Sequence, residues 1–246
     1  MTEFITKFDT TAELATFSAT TDFGKPHVSL TKDDSKVHYF GDPYNGHQYV
    51  EIGGLKWATM NIGASQPSDY GLYFAWGDTQ GYTAEQVGSG EGKKYFGWAD
   101  YKYSNGTTSP GDTGMTKYNS TDGLKTLEAV DDAAVANWGG SWRMPTVDEF
   151  QALGAAVNTA WTQVNNVYGI LCTDKTDSSK TLFFPAAGYC GNGKEETVGN
   201  RGLYWSSSLG TDNRQFAYFL GFFSNFAGWG YADFRYYGRP VRPVVG

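Results

Sequence analysis

Two cysteines in 246 residues are too few for a disulfide framework, and Cys172 and Cys190 have neither a Cys-x-x-Cys spacing nor neighbouring histidines. They read as two buried thiols, a single bridge between them being the other arrangement the count allows. Basic clusters are also missing, and a net charge of −7 disfavours nucleic acid and anionic membranes as partners. No apolar run approaches the roughly 20 residues of a membrane span, so membrane insertion is not expected. The opening MTEFITKFDTTAEL lacks the basic and apolar regions of a signal peptide, which predicts synthesis as a soluble cytoplasmic chain, wherever the protein finally acts. The three histidines, His27, His38 and His47, lie in or beside the first 45 residues and far from any nucleophile, so a catalytic triad is not expected. Charged residues make up only 18% of the chain, and long helical periodicities are scarce.

What the chain has instead is glycine, 32 residues of it, and aromatic side chains, which form 17% of the whole. That mixture suits many short strands and turns. The aromatics concentrate near the end: between Phe216 and Tyr237, 11 of 22 residues are Phe, Tyr or Trp. Read with a period of two, Tyr218, Leu220 and Phe222 share one side of an extended strand, and Phe219, Gly221 and Phe223 share the other. One side can be core; the other is either buried as well or offered to a partner.

Taken in order, Thr10 to Glu13 has the spacing of a capping box and predicts a short helix through about Ser18. His27 to Phe40 reads as a hairpin around Lys32 to Ser35, and Asp42 to Gly46 breaks the chain. Residues 1–45 are therefore expected to be an attachment or oligomerisation segment, and residues 46–246 one larger domain. Within it, Tyr49 to Gly63 predicts a hairpin turning at Gly53-Gly54, Gly71 to Asp78 a short strand, and Thr79 to Gly123 a long ordered loop region, of a length that is uncommon unless it carries function or covers something. Asp131 to Ala136 predicts a short helix closed by Gly139-Gly140. Thr146 to Glu149 is a second capping box, leading a helix with Val147, Phe150, Leu153 and Val157 on one stripe. Strands are expected at Val167 to Cys172, Thr181 to Ala186, Gly202 to Ser207 and through the aromatic end. Two helices among short, mostly antiparallel strands and many loops make an α+β domain.

These segments carry a resemblance. YVEIGGLKWATMNIGA, GLYFAWGD, NWGGSWRMPTVDEFQAL, LFFPAAGY, GLYWSSS and GRPVRPV occur in that order, from about Gly46 to Val244, and together resemble the Fibrobacter succinogenes major paralogous domain. The resemblance implies a C-type-lectin-like fold, akin to that of formylglycine-generating enzymes. It is also similar to the phage tropism-determinant-like variable proteins, in which a diversity-generating retroelement rewrites a C-terminal segment at adenines, often in asparagine codons. Ala217, Tyr218, Leu220, Phe222, Ser224, Trp229, Arg235, Tyr236, Gly238 and Val241 to Val244 match the framework of such an ending.

The positions where that ending commonly has asparagine hold Phe219, Gly221, Phe223, Phe226, Gly228, Gly230, Tyr231, Asp233, Phe234 and Tyr237. Each is a residue that a codon of form NNC can encode. Asn213, Arg214 and Phe216 are further candidates in a variable region of about 210–240, whereas Gln215 cannot come from such a codon. The resemblance thus implies a ligand-binding, receptor-binding or adhesion protein of a phage or prophage. It implies display on a virion or cell surface, a host-cell surface protein or glycan as target, and a homo-oligomer such as a trimer. The leader resembles those of phage and prophage structural proteins from gut Bacteroidales. The alternative is a non-diversified structural or decoration module whose terminal aromatics are packed.

For the binding face, Phe219, Phe223, Phe226 and Phe234 should be at least partly exposed, and Leu220, Phe222 and Trp229 buried. Trp57, Trp76, Trp138, Trp142 and Trp205 read as core, and Arg143 and Arg242 as loop anchors. Gln66-Pro67-Ser68-Asp69 only approximates a calcium-dependent sugar-binding loop, and Asp131-Asp132 reads as a helix start, so no metal or other cofactor is expected. Neither cysteine sits in the catalytic arrangement of the formylglycine-generating relatives, so no enzyme is expected.

Overall fold

A computed structural model describes residues 43–107, 111 and 114–246, together with the backbone of two short strands, β1 (His27–Leu30) and β2 (Val37–Phe40). Those strands pair antiparallel from His27↔Phe40 to Leu30↔Val37, as a hairpin requires. The helix expected at Thr10 to Ser18 and the turn at Lys32 to Ser35 lie outside the described residues.

Local chemistry explains most of the elements that follow. Gly53 and Gly54 adopt φ of 63° and 81°, the left-handed pair that a tight two-residue turn needs, and join β3 (Tyr49–Ile52) to β4 (Leu55–Ala58). The Asp132 carboxylate accepts the N–H groups of Ala134 and Val135 and so caps α1 (Ala133–Trp138), which Gly139 ends at φ 64°. Thr146 and Glu149 form the reciprocal capping box of α2 (Val147–Ala156), whose Phe150 and Leu153 are buried. Val157 leaves the helical conformation and opens β5 (Val157–Val164) instead of completing the helical stripe.

Strand β5 has no counterpart in the sequence reading. Asn165 and Asn166, at φ 51° and 63°, turn it back into β6 (Val167–Asp174), and β7 (Thr181–Pro185) completes that sheet. The signal was the Asn-Asn pair, but the strand before it has a largely wet face and therefore no clean apolar alternation. Gly71 to Asp78 differs in the opposite sense: it makes only single bridges, Tyr73↔Tyr82 and Phe74↔Arg239, although Tyr73 to Trp76 are fully buried.

Strands β8 (Tyr189–Gly191) and β9 (Lys194–Glu196) form a small hairpin, and β10 (Arg201–Leu209), β11 (Phe216–Phe223) and β12 (Phe226–Phe234) form a sheet in that order. The last strand, β13 (Val244–Val245), pairs with β4 and ties the end of the chain to the start of the domain. With two α-helices and small antiparallel sheets among the described residues, the fold is α+β with many loops.

The β10–β11–β12 sheet stands between two hydrophobic clusters. One side sends Tyr204, Leu220 and Phe222 into a core shared with Trp57, Phe150, Ile170 and Phe184. The other sends Trp205, Ala217 and Phe219 into a core shared with Trp76, Phe96 and Tyr118. The described part of the long loop region covers this second side: Phe96, Trp98, Tyr101, Tyr103, Met115 and Tyr118 are all buried.

Asp131 pins that loop down. The sequence placed it at a helix start together with Asp132, but only Asp132 caps; Asp131 is buried and bonded to Lys102 (2.8 Å), Lys117 and Tyr118 (2.7 Å). Burial pushes its pKa up, yet the hydrogen bonds from Lys102, Lys117, Tyr103 and Tyr118 outweigh burial and hold the carboxyl well below its ordinary value. Arg143 and Arg242 anchor loops as expected, the first on Glu149 and the second on Asn61 and the carbonyls of Ala58 and Thr59. Of the five tryptophans expected in the core, Trp57, Trp76, Trp142 and Trp205 are buried and Trp138 is half-buried, stacked on His47 at 3.6 Å. Both cysteines are free and buried.

Two outcomes follow for stability. Asp131→Asn should cost about 1–3 kcal/mol at neutral pH in urea unfolding, because it removes the buried charge that holds the partly exposed Lys102 and Lys117 and the buried Tyr118 hydroxyl. Since the folded pKa is depressed, the wild-type contribution is complete above the unfolded value near ~3.9 and fades as pH falls below it, so the two proteins should converge in acid. Separately, the Phe222 ring lies directly on Gly202, its cross-strand partner, with no room for a methyl group. Gly202→Ala should therefore lose about 1–3 kcal/mol despite a strand-compatible backbone.

Candidate functional site

The register of the terminal sheet sorts the candidate residues. Arg201↔Phe223↔Phe226 form one cross-strand row, Leu203↔Gly221↔Gly228 the next, and Trp205↔Phe219↔Tyr231 the third, with Ala217↔Asp233 beyond. Partners across a row point to the same side. Thus Phe219, Gly221, Phe223, Phe226, Gly228, Tyr231 and Asp233 do share one face.

A β-bulge makes this possible. Between the Phe219↔Tyr231 and Gly221↔Gly228 pairs, β11 has only Leu220, whereas β12 has both Trp229 and Gly230. The extra residue reverses the alternation, so even-numbered Phe226 and Gly228 join odd-numbered Tyr231 and Asp233. It also turns Trp229 and Gly230 together towards α2: a methyl group on Gly154 would stand 2.6 Å from the Trp229 ring, and one on Gly230 3.1 Å from Val147. Gly230 therefore leaves the face it was assigned to.

Phe234 and Phe216 pair across the far end of the sheet, away from the exposed rings. Their rings meet edge to face at 4.8 Å, and Phe234 packs on Trp98 (5.6 Å) and Tyr236 (5.4 Å). Phe234 is half-buried against the cluster that the loop region covers, so it meets the expected partial exposure but does not join the chain of exposed rings. Asn213 and Arg214 sit half-buried in the turn before β11, whose first residue, Phe216, is roughly 23 Å from Phe223 at ~3.3 Å per residue. Tyr237 is half-buried, with its ring over Gly191 and 5.0 Å from Tyr189.

On the shared face the rings form a chain. Phe223 stacks on Phe226 at 5.2 Å, Phe226 neighbours Tyr231 at 5.9 Å, and Tyr231 neighbours Phe219 at 6.0 Å. Tyr231 leans over Gly228 and Phe219 over Gly221, so the glycine pair lets the rings lie flat against the backbone. Phe223, Phe226 and Tyr231 are 40%, 40% and 48% exposed, and Arg201 places its guanidinium 5.9 Å from the Phe223 ring. The sequence reading missed Arg201 and the half-buried Leu203; only the β10–β11 register brings them to this face.

Phe219 is the main correction. Expected to be displayed, it is 7% exposed. The segment after β12 folds over this end of the sheet and lays the Arg239 guanidinium 3.7 Å from the Phe219 ring centre and 4.3 Å from that of Trp205. Arg239 is fully buried and donates from Nη2 to Asp233 Oδ2 at 2.6 Å. Burial pulls its pKa down to about 10, with Asp233 opposing the shift, so the group is cationic at neutral pH. Trp229 departs from expectation in the other direction, half-buried rather than buried, whereas Leu220 and Phe222 are in the core as expected.

The face is thus open at its Phe223–Phe226–Tyr231 end and closed at its Phe219–Arg239 end. Rigid rings of this kind offer contact area at small rotamer cost, and a neighbouring guanidinium adds polar and π contacts. Compared with known protein families, with curated proteins and with solved structures, the chain finds no match in any of the three.

Alanine substitution should read out this gradient. Phe223→Ala, Phe226→Ala and Tyr231→Ala should each cost about 1 kcal/mol or less in denaturant unfolding, whereas Phe219→Ala should cost about 3–5 kcal/mol.

Proposed function

We propose that this chain is a ligand-binding protein of the receptor-binding or adhesion kind, which uses the open end of the aromatic face on a C-type-lectin-like scaffold. The observation that carries the reading is the contiguous, exposed chain Phe223–Phe226–Tyr231 on a sheet whose interleaved Leu220 and Phe222 are buried. Soluble domains seldom leave neighbouring large rings uncovered without a use for them. A ligand landing there meets three ring faces, the Arg201 guanidinium and a glycine-floored row, which together suit a neutral surface with apolar or stacking groups.

The residue pattern of the ending supports a retroelement as the source of this surface, in a phage or prophage protein displayed on a virion or cell surface. On that reading the target is a host-cell surface protein or glycan, and oligomerisation through the N-terminal segment would add avidity. One observation favours the rival, a structural or decoration module: Phe219 is buried and Asp233 is held in an ion pair, so part of the supposed variable face is committed to the fold.

Two measurements separate these readings. The gene neighbourhood should hold a reverse transcriptase and a near-copy of the 3′ end differing only at adenines in the codons for positions such as 219, 223, 226 and 231; its absence would assign the chain to the rival. A panel of purified bacterial surface glycans and envelope proteins should include a ligand whose affinity falls at least ~100-fold in the Phe223→Ala/Phe226→Ala/Tyr231→Ala protein, with a melting temperature within a few degrees of wild type.

A further inference from the structure

The closed end of the face holds an arginine whose hydrogen-bonding needs are largely unmet. Arg239 has no exposed surface, and among the described residues its Nε and Nη1 atoms have no hydrogen-bond partner. Aromatic faces surround it, those of Phe219 and Trp205 being closest, and these can stabilise a cation but accept few directed hydrogen bonds. Among the described residues its one carboxylate is Asp233. A buried cation with one counter-anion depends on that anion strongly.

Asp233 is placed differently. Its side chain is 35% exposed, and each of its oxygens accepts one bond: Oδ2 takes the Arg239 Nη2 donor at 2.6 Å, and Oδ1 takes the Phe234 backbone N–H at 2.8 Å. The carboxylate therefore sits at the surface, with solvent on one side and two donors on the other. Those donors belong to the backbone and to a buried residue, so they remain if the carboxylate is removed.

We infer that Arg239 Nη2 and the Phe234 N–H form a carboxylate-binding site at the edge of the aromatic face, and that Asp233 is its resident, built-in occupant. Position 233 then sets what the face accepts. With Asp233 in place the Arg239 cation is neutralised and this end of the face offers it to no anionic ligand. With a small neutral residue there, the same surface gains a charged socket for a carboxylate beside Tyr231 and Phe219. The existence of the socket is independent of the proposed binding role; its effect on specificity rests on that reading.

Chemical rescue tests this with formate and acetate as probes, against chloride at equal ionic strength. Asp233→Ala should lower the melting temperature by about 5–10 °C in chloride. Formate or acetate should restore at least half of that loss in a saturable manner and leave the wild type unmoved. Asp233→Asn, which keeps the volume but not the charge, should be destabilised yet not rescued, because its amide fills the socket. If Asp233→Ala does not fold in chloride, its refolding yield in formate against chloride becomes the readout, with the same expectation. Rescue of all three proteins alike, rescue of none, or an Asp233→Ala protein as stable as wild type would each overturn the inference. Rescue combined with no loss of ligand capture in the triple alanine protein would keep the socket and refute the binding role.

Discussion

Much of this structure depends on one packing device, an aromatic ring laid on a glycine. Phe222 covers Gly202, Trp229 covers Gly154, Tyr231 covers Gly228, Tyr237 covers Gly191 and Phe96 covers Gly238. In each case the missing side chain is the space the ring occupies, and the ring shields a stretch of backbone from water. A chain with little helix and few charged residues can build a dense interior this way from short strands and loops. It also explains why glycine and aromatic residues are abundant together, since each supplies what the other lacks.

The terminal sheet concentrates that device and carries a double duty. Its inner rows join two cores, one gathered around α2 and the β5–β7 sheet, the other around the covered loop region. Only the outermost rows are free of this structural load. The division between holding the fold and facing solvent therefore runs across the strands, from the Trp205–Phe219 row to the Phe223–Phe226 row, as well as between alternate residues. Arg239 marks the border, because the segment that brings it in is what covers Phe219.

Sequence patterns predicted this architecture unevenly. The capping box of α2, the Gly53-Gly54 hairpin and the shared side of Phe219, Gly221 and Phe223 were legible because each depends on residues close in the chain. Strand β5 was not, since its wet face breaks the alternation that identifies strands. The burial of Phe219 was illegible for a different reason: it depends on how residues 237–240 cross the sheet, a long-range packing choice with no local signature. The bulge at Trp229–Gly230 was likewise illegible: it sends Gly230 towards α2 and brings Tyr231 and Asp233 onto the side of Phe226 and Gly228. Arg201 and Leu203 enter the face only through pairing with a strand that follows them in the chain.

That bulge has a consequence for how the molecule lives with its neighbours. Strand β12 is nine residues long, lies at the margin of its sheet and carries the exposed Phe226 and Tyr231. A regular strand of that composition would invite another chain to zip onto it and begin a fibre. With one residue too many between its two aromatic stretches, β12 has a broken hydrogen-bonding rhythm that a straight incoming strand cannot follow. The same irregularity that gathers the rings into one surface keeps that surface from becoming a template for aggregation.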